Sequence, residues 1–152
     1  MRTSFLIGRI IVGLFYLYSG IDGFINLKGK IGYAASQGTP FPQITVAISA
    51  ALLIIAGLTI ITGFEVRFGV LALVLFFVPV TLIIHDFWNV QDPMQRLSEW
   101  RSFQSNFALM ASALMFLAIP QPWPYSLAEF IRPLQLSRVR ASTNTSMAQR
   151  TK

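Results

Sequence analysis

Four long apolar runs constrain this chain more than any other feature: residues 5–27, 44–64, 66–84 and 103–119. A helix needs about 20 apolar residues to cross the hydrocarbon core of a bilayer. The first three runs reach that length. The fourth, at seventeen residues, covers about 25 Å of helix and is expected to stand upright or to borrow interfacial residues. None of the runs alternates as a barrel strand does, and all exceed the roughly ten residues such a strand needs. Helices alone then satisfy every backbone polar group inside lipid. The expected fold is all-α: a polytopic membrane four-helix bundle with a surface-lying helix after the last span.

Composition narrows the chemistry. Charged residues make up only 12% of the chain and hydrophobic residues 54%, which removes intrinsic disorder for most of the length. Without cysteine there is no disulfide scaffold, CxxC redox pair, Cys-ligated zinc or iron–sulfur cluster. One His cannot supply bis-His haem ligation within a chain, and no metal site is expected. The net charge of +6 comes from basic residues scattered between apolar runs, so nucleic acid is not an expected partner; the lipid bilayer is. Arg9 interrupts the first run where a signal peptide would be continuously apolar, so that span is expected to be retained.

The connections are unequal. Residues 28–43 contain Gly29, Gly32, Gly38, Pro40 and Pro42 and read as a loop. Only Glu65 and its neighbours separate the second and third runs, which implies a tight antiparallel hairpin. Met94, Leu97 and Trp100 recur at helical spacing in 91–102, suggesting a short interfacial helix. A second interfacial helix is expected at about 126–136, where Leu127, Phe130, Ile131 and Leu134 surround Glu129 and Arg132. Residues 1–136 thus form one membrane domain, and 137–152 read as a disordered cytoplasmic tail.

Lys and Arg bias sets orientation. Arg2, Arg9, Arg67, Arg132, Arg138, Arg140, Arg150 and Lys152 fall on the side of both termini, against Lys28, Lys30, Arg96 and Arg101 on the other. A multi-pass protein of the cell (inner) membrane with both termini cytoplasmic is the expected arrangement.

With that topology the polar residues gather in one layer. Asp22, His85, Trp88, Asn89 and Asn106 form a candidate polar, cofactor-binding layer, and His85, Asp86 and Asp22 form a candidate proton relay. Ionisable groups at such depth are costly and face protein or water. Asp22, with Tyr18, Ser19 and Asn26 on its face, equally suits a headgroup position paired with Lys28 or Arg101. His85 equally suits a polar helix end with Trp88 in the aromatic belt, because neighbours on a helix diverge by about 100° and do not face each other. Pro79 frees the carbonyl of Leu75 and favours a kink before His85. Arg9, Gly13, Tyr16, Gly20 and Gly23 recur every three or four residues, a stripe that reads as helix packing, with Arg9 placed to snorkel.

These pieces resemble the DoxX-like family of small four-helix membrane proteins, over about residues 7–118. They are Gly8-Arg9, Ser19-Gly20 with Asp22, Gly38-Thr39-Pro40-Phe41-Pro42, Gly57 to Gly63, His85-Asp86-Phe87-Trp88, and Phe103 with Asn106 and Leu109. Two positions depart from the family's pattern: Ser105 stands where Lys often precedes the Asn, and no acidic residue lies in 44–64. The resemblance implies the fold directly. It also implies membrane redox assemblies, since the family takes its name from a small subunit linked to a quinone-dependent oxidoreductase. Three functions stand open. The first is an accessory or structural subunit of a larger, redox-linked membrane complex with other membrane-protein subunits as partners. The second is a quinone-reactive subunit; no cofactor is evident from the residues, and quinone is the one this alternative would bring. The third, least favoured, is a small transporter, for which there are few charges and no inverted repeat.

Overall fold

The computed structural model describes residues 2–131. Five α-helices dominate: α1 (Arg2–Ile25), α2 (Leu27–Ser36), α3 (Pro42–Thr62), α4 (Val66–Pro79) and α5 (Pro93–Met115). A π-helical turn, Val80–Ile84, continues α4, and two 3-10 turns follow at Phe87–Asn89 and Phe116–Ala118. The fold is an all-α polytopic membrane fold.

Three helices among the described residues are both long and apolar enough to cross a bilayer: α1, α3, and α4 with its continuation to Asn89. Helix α5 has the length, at 23 residues, but not the apolar composition. That it runs the length of the bundle follows from what its two ends touch. Near its start, Glu99 pairs with His85 at the far end of α4. Beyond its other end, the carbonyl of Tyr125 accepts from Arg9, close to the start of α1. The N-terminus and residue 125 therefore lie at one end of the bundle, and His85 at the other.

The helices pack in chain order around a seam between α1 and α3. The buried residues of α1 are Arg9, Gly13, Tyr16, Gly20 and Gly23, the stripe whose spacing predicts packing. A Cβ on Gly57 would stand 2.6 Å from the Leu17 nitrogen and 2.8 Å from the Gly13 oxygen, so backbone meets backbone here. Tyr16, Leu53, Ala56, Ile60, Leu73, Phe77 and Ala113 form the core beside that crossing.

Two connections and one buried side chain differ from expectation. Residues 27–36 of the expected loop form α2, because Gly29 and Gly32 weaken a helix without breaking it, and Lys30 pairs back onto α1. The chain then turns at Gly38, with φ 71°, a conformation open to glycine at no steric cost. The expected interfacial helix in 91–102 is not separate either. Asp92 caps α5 by accepting from the Gln95 backbone N–H at 2.7 Å with Pro93 at the first turn, and no breaker follows before Met115.

Arg9 is the third difference. It does not snorkel but is 2% exposed, covered by the segment after α5. Its Nη2 donates to the Tyr125 carbonyl at 2.7 Å, and its guanidinium sits 6.0 Å from the Trp123 ring centre. Trp123 is fully buried against Val66, Val70, Phe5 and Phe116. A short helix begins at 127–131, its first turn capped by the Ser126 hydroxyl accepting from the Glu129 N–H. The remainder of the helix expected at 126–136, and the tail 137–152, lie outside the described residues.

Candidate functional site

Helix α4 ends irregularly, and that irregularity builds the site. Pro79 has no N–H, so the carbonyl of Leu75 loses its helical donor. The chain answers with the π turn over Val80–Ile84 and leaves helical geometry at His85, with φ −110° and ψ 48°. Single π turns inside helices recur at functional positions. Here the turn carries His85 toward α5, where Nδ1 lies 2.7 Å from Glu99 Oε2. A carboxylate only accepts, so Nδ1 donates. Both side chains are largely buried, at 17% and 12% exposure.

The expected polar residues separate into pairs. Asp22 Oδ2 binds Lys30 Nζ and its Oδ1 accepts from Asn26 Nδ2, each at 2.6 Å. The partner is Lys30 rather than Lys28 or Arg101, because α2 folds back along α1. Asp86 Oδ2 accepts from Asn89 Nδ2 at 2.8 Å within the 3-10 turn. Among the described residues, neither Asp22 nor Asp86 is directly hydrogen-bonded to His85. Trp88 belongs to an aromatic cluster: its ring is 5.1 Å from Phe87 and 6.0 Å from Phe103, and Phe87 is 4.7 Å from Trp100. These contacts pin the 85–89 turn to α5. Asn106 is half-buried on α5 and joins none of the pairs.

A cavity of about 370 Å³ lies between α1, α2, α3 and the end of α4. That is within the size range of small-molecule pockets, about 300–1,000 Å³. Its walls are mostly apolar: Ala50, Leu53, Phe76, Pro79, Val80, Ile83 and Ile84. Lys30, Tyr33, Thr39, Thr45 and His85 line it too. By helix register, Leu53 and Phe76 lie about 12–14 Å inward of Thr45 and His85, so the cavity is polar at one end and apolar at the other. Thr39 is 8% exposed, and its hydroxyl has no partner. A buried hydroxyl left unpaired costs about 1–3 kcal/mol, which marks this atom within the wall.

Sequence reasoning missed Glu99, Lys30, Tyr33 and the role of Thr39. Glu99 carried a faint signal as an acidic residue between Leu97 and Trp100 on a helix leading into an apolar run. Lys30 was visible as the i+8 neighbour of Asp22, but only once 27–36 is helical.

No curated protein and no solved structure matches the chain. The DoxX family model matches residues 4–86, more than half of its length. That match takes in the α1 stripe, the turn at Thr39 and the cavity walls, and it ends at Asp86, before Trp88, Glu99 and Asn106. The chain belongs to the DoxX family.

Proposed function

We propose that this chain is an accessory, non-catalytic subunit of a larger membrane assembly, docked through α5. One observation carries the reading. Helix α5 runs the length of the bundle, yet it packs chiefly on α4 and its irregular continuation and turns a polar, small-residue face outward. Gln104, Ala108 and Ala111 are all exposed and fall on one side of the helix. A polar amide facing hydrocarbon is costly, whereas small residues let a second helix approach closely and polar ones bond across the contact. The family resemblance favours a redox-linked assembly, and the Lys/Arg bias favours an inner membrane with both termini cytoplasmic.

Purification in mild detergent followed by mass measurement tests this reading. The expected result is a complex containing other membrane subunits, lost when Ala108→Phe fills the exposed face. A wild-type protein recovered without companions, in the same state as Ala108→Phe, overturns it.

A quinone-reactive role is the second reading, favoured by His85 lining the cavity while Glu99 holds its Nδ1. A ring so held presents its other nitrogen as a proton acceptor. Quinol turnover by the purified assembly, lost in His85→Gln with the fold retained, is the expected result.

A further inference from the structure

The polar end of the cavity presents hydrogen-bond donors that have no acceptor. The Thr39 hydroxyl is buried and has no partner. Tyr33 already accepts at its oxygen from Gln37 Nε2, at 3.2 Å, so its own O–H is free to donate. Lys30 gives one N–H to Asp22 and keeps others, since an ammonium has three. Two acceptors nearby are already engaged: Asp22 takes Lys30 and Asn26, and the Pro40 carbonyl takes the Thr45 hydroxyl at 2.8 Å. An occupant that brings acceptor oxygens of its own meets the donors of Thr39, Tyr33 and Lys30.

Charge selects the kind of acceptor. Lys30 is neutralised by Asp22 at 2.6 Å, so this wall has no spare cation for a phosphate or a carboxylate. A neutral carbonyl oxygen takes hydrogen bonds from Thr39, Tyr33 and Lys30 without adding a further charge beside the Lys30–Asp22 pair. Below it, Leu53 and Phe76 offer apolar surface, which suits a hydrocarbon tail. We propose that this cavity binds a neutral amphiphile whose head group carries carbonyl oxygens, held by Thr39, Tyr33 and Lys30. A quinone ring and the ester of an uncharged lipid share that chemistry. The proposal deepens the second reading above and uses the same cavity, but it requires binding alone and no electron transfer.

Thermal unfolding of the purified full chain in detergent, with decylubiquinone or dioctanoylglycerol added separately, tests it. The expected result is a saturable rise in Tm with at least one probe. Thr39→Val is expected to weaken that binding about 3–10-fold, the worth of one net hydrogen bond, and Thr39→Ser is expected to restore it. Val46→Phe, which fills the cavity, is expected to abolish it. A response to decylubiquinone alone assigns the site to quinones, and a response to dioctanoylglycerol alone assigns it to lipid esters; either supports the proposal. No saturable response to either probe by the wild-type chain overturns it, as does a response that Thr39→Val and Val46→Phe leave unchanged. Decylubiquinone bound without quinol turnover removes the redox reading and leaves the binding site standing.

Discussion

His85 Nδ1 and Glu99 Oε2 stand 2.7 Å apart, joining the unwound end of α4 to the first turns of α5 across fourteen residues of chain. Both groups are mostly out of water, so each is the other's main compensation for burial. The pair is also the polar link between α5 and the end of α4, complementing the aromatic contacts of Phe87 and Trp88 with Trp100 and Phe103.

Breaking both sides of that pair is expected to cost less than the two single breaks added together. Glu99→Ala leaves the His85 N–H without its acceptor, a loss of about 1–3 kcal/mol. Glu99→Gln keeps an acceptor oxygen and should lose less. His85→Ala with Glu99→Ala should destabilise by less than the sum of the single changes, because neither orphan remains. Tm in detergent for the four proteins checks this. Strict additivity would show that the two side chains do not interact in the folded protein.

The two sides of this pair differ in how far they can be read from sequence. His85 stands out as the lone His beside Asp86, at the end of an apolar run. Glu99 does not, because its approach depends on a π turn after Pro79 and a 3-10 turn at Phe87–Asn89, neither of which has a reliable sequence period. The α1 stripe is the opposite case. Arg9, Gly13, Tyr16, Gly20 and Gly23 are fixed by helical spacing alone, and α1 buries those same residues. Lys30 falls between these extremes, since the glycines around it suggest a loop and its pairing with Asp22 exists only on a helix.

Trp123 is expected to be the most sensitive residue outside the crossing helices. It is fully buried, meets Phe5 edge-on at 5.0 Å and Phe116 at 5.4 Å, and covers the Arg9 guanidinium. Trp123→Ala should cost about 3–5 kcal/mol and expose Arg9 to water. Trp123→Phe, which keeps a ring against Phe5, should lose distinctly less. Unfolding in a denaturing detergent titration separates the two. Equal and small losses for both would mean that the segment after α5 does not hold the N-terminal end of the bundle.

Sidedness can be read directly because the chain has no cysteine. Single cysteines at Lys28 and Arg96, both exposed, should label with a membrane-impermeant maleimide in intact cells. One at Arg2, also exposed and at the opposite end of the bundle, should label only after permeabilisation. The reverse pattern would invert the orientation drawn from Lys and Arg bias, and would put the polar end of the cavity toward the cytoplasm.

The α1–α3 crossing gives the sharpest contrast between neighbouring glycines. A Cβ at Gly57 would meet backbone atoms of α1 at 2.6 and 2.8 Å, and backbone cannot rotate away as a side chain does. Gly57→Ala must therefore push the two helices apart and loosen the seam that positions Tyr16, Leu53 and the deep end of the cavity. Overpacking of this kind costs about 1–3 kcal/mol. Gly8 lies on the same helix as Gly13 but has nothing within 4 Å of its would-be Cβ. Gly8→Ala should be neutral or slightly stabilising, since alanine favours helix by about 1 kcal/mol over glycine. Tm in detergent for Gly57→Ala and Gly8→Ala should thus move in opposite directions or diverge by several degrees. A Gly57→Ala protein as stable as wild type would mean that α1 and α3 do not cross in backbone contact, and the cavity wall built on that crossing would fall with it.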